Sequence, residues 1–315
     1  MTTVEPATAS DVRLMQALAQ RITALRPELV NSDASYGELA WNWGRDDGTR
    51  AVNSRRLWWA AGELVAWAWI RLPHPAAHDN RAAPATAASL VHQVHPAHRK
   101  LVDDVIDWYE TTASHLDRTA LPGAADTFAL TRWTAHGYTP DPAGLGVHGT
   151  WTRLNTRDLT HLRPPVLPPG FRFRTADEAG PDAAVRAHRD AWSPSTYSAE
   201  KYEGVRRTTA YRGDLHVLVE APDGTMACSA IMWLDQANRT VQFEPVGTHP
   251  DHRRRGLARA LLLHGMSRAR AVGATHATVA CLGAPGHRAP SALYESVGFR
   301  ELSRDLPLLK RARTD

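Results

Sequence analysis

The most informative segment of the chain is VGTHPDHRRRGLA, which runs from Val246 to Ala258. A strand pattern ends at Thr248, a turn rich in Pro, His and Arg follows, and aliphatic residues at helical spacing begin at Leu257. Amides at a helix N-terminus are unpaired and lie at the positive end of the helix dipole, so such a turn suits a pyrophosphate. Because glycine has no side chain, Gly256 would let phosphate oxygens approach the backbone. We therefore predict a strand, a phosphate-binding turn and a helix.

A second motif, LYESVGF at Leu293–Phe299, follows further along the chain. Together with the pattern Arg-x-x-Gly-x-Ala at 253–258, it resembles the acyl-CoA-binding motifs of the GCN5-related N-acetyltransferase (GNAT) superfamily. The resemblance implies that acetyl-CoA is a co-substrate, its pyrophosphate held by amides of 254–258 and its pantetheine arm by the end of the preceding strand. The implied contacts are Val246, Gly247, Thr248, Arg253, Arg254, Arg255, Gly256, Leu257 and Ala258.

The resemblance also implies catalytic roles. Tyr294 would protonate the departing thiolate, since a phenol with an ordinary pKa of about 10 is a plausible acid for a thiolate; alternatively it is a packing aromatic residue. Glu244, on the strand that leads into the turn, is our candidate for the base that deprotonates the attacking amine. The alternative is that Glu244 orients substrate or forms an ion pair with Arg288. Pro245 is unusual in a central strand and predicts a bulge or splay.

The acceptor amine is expected between the strand that bears Glu244 and the helical segment 182–208. The candidate substrate-binding residues of this segment are His188, Trp192, Tyr197 and Tyr202. One departure from the family pattern is His287, which stands where the family often has Asn, so contacts with coenzyme A in that loop are open.

The chain contains an internal repeat. VHPAHR at 94–99 matches THPDHR at 248–253, and LTRWTAHGY at 130–138 matches ALYESVGF at 292–299. Both copies predict a hairpin, a strand and a helix: 57–70, 89–94 and 102–112 in the first, and 216–234, 241–248 and 257–272 in the second. In this register Val102 stands for Gly256, Asp104 for Ala258 and Trp133 for Tyr294, so we expect the first copy to be inert.

The predicted fold is α/β, with two tandem GNAT-like domains that each contain a mixed central sheet flanked by helices. Residues 1–157 form the degenerate domain, the Pro-rich segment 158–170 is a linker, and 171–315 form the catalytic domain. The segment 73–88 is expected to be a surface loop. The resemblance is strong from 171 onward and weaker over 9–155.

Composition narrows the class of protein. The chain has 315 residues, 43% hydrophobic and 22% charged, with no apolar run long enough for a membrane span, so we expect a cytoplasmic protein. The net charge of +4 is thinly spread, which argues against nucleic acid as a partner. Two cysteines, Cys228 and Cys281, lack the spacing of a metal site and are assigned to packing.

The predicted function is N-acetylation of a small-molecule primary amine by direct transfer, by a chain that we expect to be monomeric and free of metal. The tandem layout is similar to that of mycothiol synthase, which is the alternative within the class. A non-catalytic acyl-CoA sensor or scaffold is the alternative outside it.

Overall fold

The computed structural model describes residues 8–46, 53–73, 87–141, 151–284 and 287–312. The helices in these ranges are α1 Ala9–Leu25, α2 Tyr36–Gly44, α3 Leu101–Thr112, α4 Thr127–Ala135, α5 Ala176–Ala179, α6 Pro181–Ala191, α7 Ala199–Arg206, α8 Leu257–Ala271 and α9 Arg288–Ser296. The strands are β1 Ser54–Ala60, β2 Glu63–Arg71, β3 Ala88–Val94, β4 Arg118–Ala120, β5 Thr139–Pro140, β6 Thr152–Asp158, β7 Arg172–Thr175, β8 His216–Glu220, β9 Met226–Asp235, β10 Thr240–Thr248, β11 His276–Leu282, β12 Arg300–Asp305 and β13 Leu308–Lys310.

The strands form two mixed sheets, as predicted. The first has the order β1-β2-β3-β4-β13-β5 and the second β12-β6-β11-β10-β9-β8-β7. In the first sheet β3 runs parallel to β4, and in the second β10 runs parallel to β11, while the other neighbours are antiparallel. The predicted hairpins, strands and helices of both copies are confirmed to within a few residues. The loop predicted at 73–88 lies almost wholly outside the described residues.

Each half of the chain contributes a strand to the other half's sheet. β6 lies between β11 and β12 of the second sheet, and β13 lies between β4 and β5 of the first. From the sequence, 152–157 were predicted to belong to the first domain and 308–310 to the second. In the structure, β6 pairs in the second sheet and β13 pairs in the first. The two halves are thus joined by reciprocal strand exchange.

The internal repeat is visible in the backbone. The Tyr138 N–H donates to the Trp133 carbonyl at 3.1 Å, and the Phe299 N–H donates to the Tyr294 carbonyl at 3.0 Å. The two rings also meet in a tilted or edge-on arrangement in each pair, with centroids 4.6 Å apart in the first copy and 5.9 Å in the second. Trp133 is therefore the structural counterpart of Tyr294, as the sequence predicted.

The phosphate-binding turn differs between the copies in length. Both copies have a short 3-10 turn, at Pro96–His98 and Pro250–His252, but only residues 99–100 separate it from α3, whereas 253–256 separate it from α8. The predicted equivalence of Gly256 and Val102 was therefore wrong, because the first copy lacks two residues and has no counterpart of Gly256.

In the shortened turn, backbone N–H groups are already hydrogen-bonded to carbonyls of the turn itself. The Val102 N–H donates to the Arg99 carbonyl at 3.2 Å, and the Asp103 N–H donates to the Lys100 carbonyl at 3.3 Å. The Val102 side chain is only 1% exposed and packs in the core of the first half, so it does not stand in the path of a phosphate. The turn of the first copy is thus short and wound, and Val102 does not block it.

The second sheet has an apolar core on each face. The core beneath α8 and α9 contains Phe243, Cys228 and Tyr294, with Cys281 partly buried beside it. The core on the other face contains Trp233 and, from α2 of the first half, Trp41. The first half therefore completes the core that backs the second sheet. None of the helices in the described ranges is both long and apolar enough to cross a membrane.

Candidate active site

The predicted splay lies in the middle of β10. This strand pairs with β11 only over Thr240–Phe243, and its register with β9 breaks between Phe243 and Val246, where the Glu244–Pro245 peptide bond is cis. β10 then continues to Thr248 without a pairing partner on the β11 side in the part of the chain that the structure describes. The splay predicted from Pro245 is confirmed, and it opens a cleft in the sheet where an extended ligand could pair with the strand edge.

The turn after β10 leaves the first amides of α8 free. Gly256, the N-cap of α8, has a φ of +77° and Arg254 has a φ of +64°, and no side chain caps the helix. Across the described ranges, the N–H groups of 254–259 have no protein acceptor. A Cβ placed on Gly256 would meet no protein atom within 4 Å, so the backbone here faces open space. The positive φ gives a second reason for glycine at this position.

Arginine side chains keep positive charge beside these amides. Arg253 folds back so that its guanidinium donates to the carbonyls of Thr248 and Ala191, both at 3.4 Å. Arg255 lies over the ring of Phe171, 4.9 Å from its centroid. The free amides, the open space and the cations together fit the diphosphate of coenzyme A.

Glu244 presents an unpaired carboxylate at the splay. Its backbone carbonyl accepts a hydrogen bond from Trp233 Nε1 at 2.6 Å, while its half-buried carboxylate has no hydrogen bond or ion pair with any described residue, Arg288 included. Burial raises the pKa of Glu244 well above its usual value, and the negative charges of Glu38 and Asp33 raise it further against the opposing effect of Arg45. Glu244 is thus a carboxylate whose affinity for a proton is increased.

Tyr294 lies on α9 with its ring in the core and 6% of its surface exposed. Burial raises the pKa of its hydroxyl, and the charge of Glu244 contributes to the increase. The hydroxyl therefore keeps its proton at neutral pH.

The four predicted substrate residues form one connected aromatic cluster beside the end of β10. His188 stacks on Trp192 with ring centroids 4.4 Å apart, and its ring is tilted against that of Tyr197 at 4.1 Å. Trp192 lies directly over Gly247, where an added Cβ would come within 2.3 Å of its ring. Tyr202 joins the cluster through Tyr197, with ring centroids 6.4 Å apart, and its hydroxyl lies 2.6 Å from that of Tyr211.

The contribution of α2 to the site was not predicted from the sequence. This helix belongs to the first half, yet it packs on β9, β10 and α7, and its Trp41 ring lies 5.5 Å from those of His188 and Tyr197. Glu38 on the same helix is one of the charges that act on Glu244. Nothing in the pattern YGELAWNWG reveals a partner in the other half, because the contact joins distant parts of the chain.

No three metal-ligating side chains come together within the described part of the chain. His249 accepts a hydrogen bond from the Asp251 N–H at 3.2 Å through Nδ1 and so caps the 3-10 turn.

Comparisons with known proteins agree with this geometry. Residues 212–301 match the family model of the acetyltransferase (GNAT) domain. No curated protein sequence matches the chain. Among solved structures, a tandem GNAT protein from the clavulanic acid biosynthesis pathway aligns over 100% of both chains with 14% identity and a TM-score of 0.67.

Two further structures align over almost the whole chain. A GCN5-related N-acetyltransferase from Sphaerobacter thermophilus has 20% identity and a TM-score of 0.59, with 99% of this chain and 96% of that chain covered. A GNAT-family acetyltransferase from Colwellia psychrerythraea has 11% identity and a TM-score of 0.58, with 99% and 100% covered. The chain therefore has the tandem GNAT fold, and its second half carries a GNAT acetyltransferase domain.

Proposed function

We propose that the second half transfers an acetyl group from acetyl-CoA directly to a small-molecule primary amine. The observation that carries this proposal is the row of free amides at 254–259, which follows on the same stretch of chain from the unpaired carboxylate of Glu244. A turn of this kind suits a diphosphate, and the splayed end of β10 would then run beside the pantetheine arm. The amides near Val246 and Gly247 would stabilise the negative charge that develops on the thioester oxygen.

Glu244 acts in this proposal as the general base. The acceptor arrives as an ammonium ion, which has no lone pair, and the carboxylate removes a proton so that the amine can attack the thioester carbon. A C–N bond forms and the C–S bond breaks. Of the two protons that the ammonium loses over the reaction, one reaches the solvent and the other is balanced by protonation of the thiolate.

Tyr294 supplies that proton to the thiolate and is reprotonated from solvent. Its hydroxyl is protonated at neutral pH and makes no hydrogen bond to a described residue, so its proton is available. Catalysis is confined to the second half, because the described part of the first half has no free amides at its turn and has Trp133 in the place of a tyrosine.

The test is a thiol-release assay with acetyl-CoA across aminoglycosides, polyamines, amino acids and the mycothiol precursor. We expect amine-dependent release that falls by a factor of about 100 or more in Glu244→Gln, since general base catalysis contributes about 10²–10⁴. Calorimetry should detect coenzyme A binding to both proteins. No heat with coenzyme A at millimolar concentration would refute the proposal, and binding without turnover of any amine would favour an acyl-CoA sensor.

A further inference from the structure

We propose that α2 of the first half forms a wall of the acceptor pocket in the second, and that Glu38 on this helix binds the acceptor's ammonium group opposite Glu244. The substrates are then aliphatic amines that are cationic at neutral pH and carry no carboxylate next to the nitrogen. This inference rests on the proposed function, since it assigns the acceptor of that same site.

The position of α2 is fixed by contacts that tolerate no side chain. The Gly37 N–H donates to Gln242 Oε1 at 3.1 Å. Gly37 directly precedes Glu38, and Gln242 stands two residues before Glu244 on β10, so this bond joins the two segments. A Cβ on Gly37 would lie 2.6 Å from Trp233 Cγ, in the strand next to β10. The start of α2 therefore lies against β10, which carries the candidate base, and against the neighbouring β9.

The other end of α2 is seated as closely. Gly44 meets α7, where a Cβ on Gly204 would come within 2.1 Å of the Gly44 carbonyl oxygen. Between these two ends, Trp41 packs against His188 and Tyr197, the aromatic residues beside the end of β10. The helix is thus held along its whole length by the second half, as a wall of a binding pocket must be.

Glu38 has no cation of its own. Its half-buried carboxylate accepts a hydrogen bond from Asn42 Nδ2 at 2.7 Å, and no Lys, Arg or His nitrogen in the described ranges lies within 4 Å of it. The nearby cations have other partners: Arg71 lies 3.8 Å from Asp33, and Arg45 donates to Asn42 Oδ1 at 2.9 Å. Burial and the charge of Asp33 raise the pKa of Glu38 to about 7, with Arg45, Arg71 and Asn42 acting in the opposite direction.

The charge arrangement selects the substrate. The charge of Glu38 raises the pKa of Glu244, so the two carboxylates together hold an excess of negative charge, and one ammonium group between them would neutralise it. The bound ammonium would also keep Glu244 ionised, which a base requires. A carboxylate next to the amine would add a third negative charge at the same point and is therefore excluded, as is an aromatic amine, which is uncharged at neutral pH.

The first experiment compares Glu38→Gln with Glu28→Gln, using the best amine of the thiol-release panel. Glu28 is a matched control because it pairs with Arg26 on the surface of the same half. We expect Glu38→Gln to raise KM for the amine on the order of tenfold, with KM for acetyl-CoA unchanged. The panel itself should favour polyamines and aminoglycosides over the α-amino group of amino acids. Unchanged amine KM in Glu38→Gln, or preference for amino acids, overturns the inference.

The second experiment needs no turnover. Removing the charge of Glu38 must lower the pKa of Glu244, so the Glu244 carboxyl resonance should titrate at lower pH in Glu38→Gln than in the wild type, and Glu38→Asp should lie between them. The acidic limb of log kcat/KM should move in the same direction. If no amine is turned over, the proposed function fails, but the titration can still be carried out. A Glu244 resonance that Glu38→Gln does not move refutes the inference about Glu38.

Discussion

Replacing Tyr294 by Phe removes a single oxygen from the candidate site. The ring keeps its contact with Phe299, whose centroid is 5.9 Å away, and the lost hydroxyl makes no hydrogen bond to any described residue. No buried donor or acceptor is therefore left without a partner. We expect the free energy of unfolding to change by no more than about 0.5 kcal/mol.

The effect on turnover should be much larger. A positioned general acid contributes about 10²–10⁴ to the rate, so kcat should fall by a factor of about 100 or more, which corresponds to about 3 kcal/mol in activation free energy. Affinity for coenzyme A should change less than about twofold, because the amides at 254–259 that would hold its diphosphate are untouched. The assays are thiol release for kcat and calorimetry for the coenzyme A dissociation constant.

Tyr109→Phe is the matched control, since Tyr109 is a buried tyrosine whose hydroxyl has a structural role. Its Oη donates to the Ala88 carbonyl at 2.7 Å in the core of the first half. This variant should lose about 1–3 kcal/mol of unfolding free energy and keep its kcat. Unchanged kcat in Tyr294→Phe would show that this residue only packs. An equal loss of kcat and coenzyme A affinity would contradict its role as the acid.

Three further predictions test the turn, the contact between the halves and a buried acid. Gly256→Val puts a β-branched residue at a φ of +77° and should weaken coenzyme A binding at least about tenfold by calorimetry; unaltered affinity would argue against the turn as the diphosphate site. Gly204→Ala places a Cβ 2.1 Å from the Gly44 carbonyl and should cost about 1–3 kcal/mol in urea unfolding, so an unchanged midpoint would refute the close packing of α2 on α7. Burial raises the pKa of Asp305 from 3.8 to about 7, so the folded state binds its proton more tightly than the unfolded state. The free energy of unfolding should therefore fall as pH rises from about 4 to 7, by up to about 4 kcal/mol, and Asp305→Asn, which can still accept from the Ser32 N–H, should lose that part of the slope.

The local structure of the site could be predicted because its causes are local. Pro245 interrupts a strand pattern, and Gly256 ends the turn where aliphatic residues at helical spacing begin, so the strand, the splay and the helix all have signals in neighbouring residues. Tyr294 and Phe299 were found through their short spacing in one helix and the following turn. The predicted β10 and α8 accordingly agree with the observed ones to within one residue.

The remaining features depend on contacts between distant residues. The effect of Glu38 on Glu244 arises because α2 joins the core of the other half, and no periodicity in the sequence indicates that contact. The exchanged strands β6 and β13 are short, and sequence order assigns each to the wrong sheet. The sequence comparison also aligned Val102 with Gly256. It extended the register of the similar segments 94–99 and 248–253 into the helix, although the first copy has two fewer residues between the 3-10 turn and the helix.

The strand exchange explains why a half without a phosphate-binding turn would be retained. β6 lies inside the second sheet and β13 inside the first, so neither sheet is complete without a strand from the other half. Separating the two halves would therefore require breaking the hydrogen bonds of both strands. That constraint holds α2 against β10, where the Gly37 N–H donates to Gln242 Oε1 at 3.1 Å. A pocket that uses carboxylates from both halves requires this rigidity, because the attraction between an ammonium and a carboxylate weakens with each added ångström and with each water that enters between them. Loss of the turn in the first half would affect only a ligand of that half. The strand β6 and the helix α2 are different, because the geometry of the proposed acceptor site in the second half depends on them.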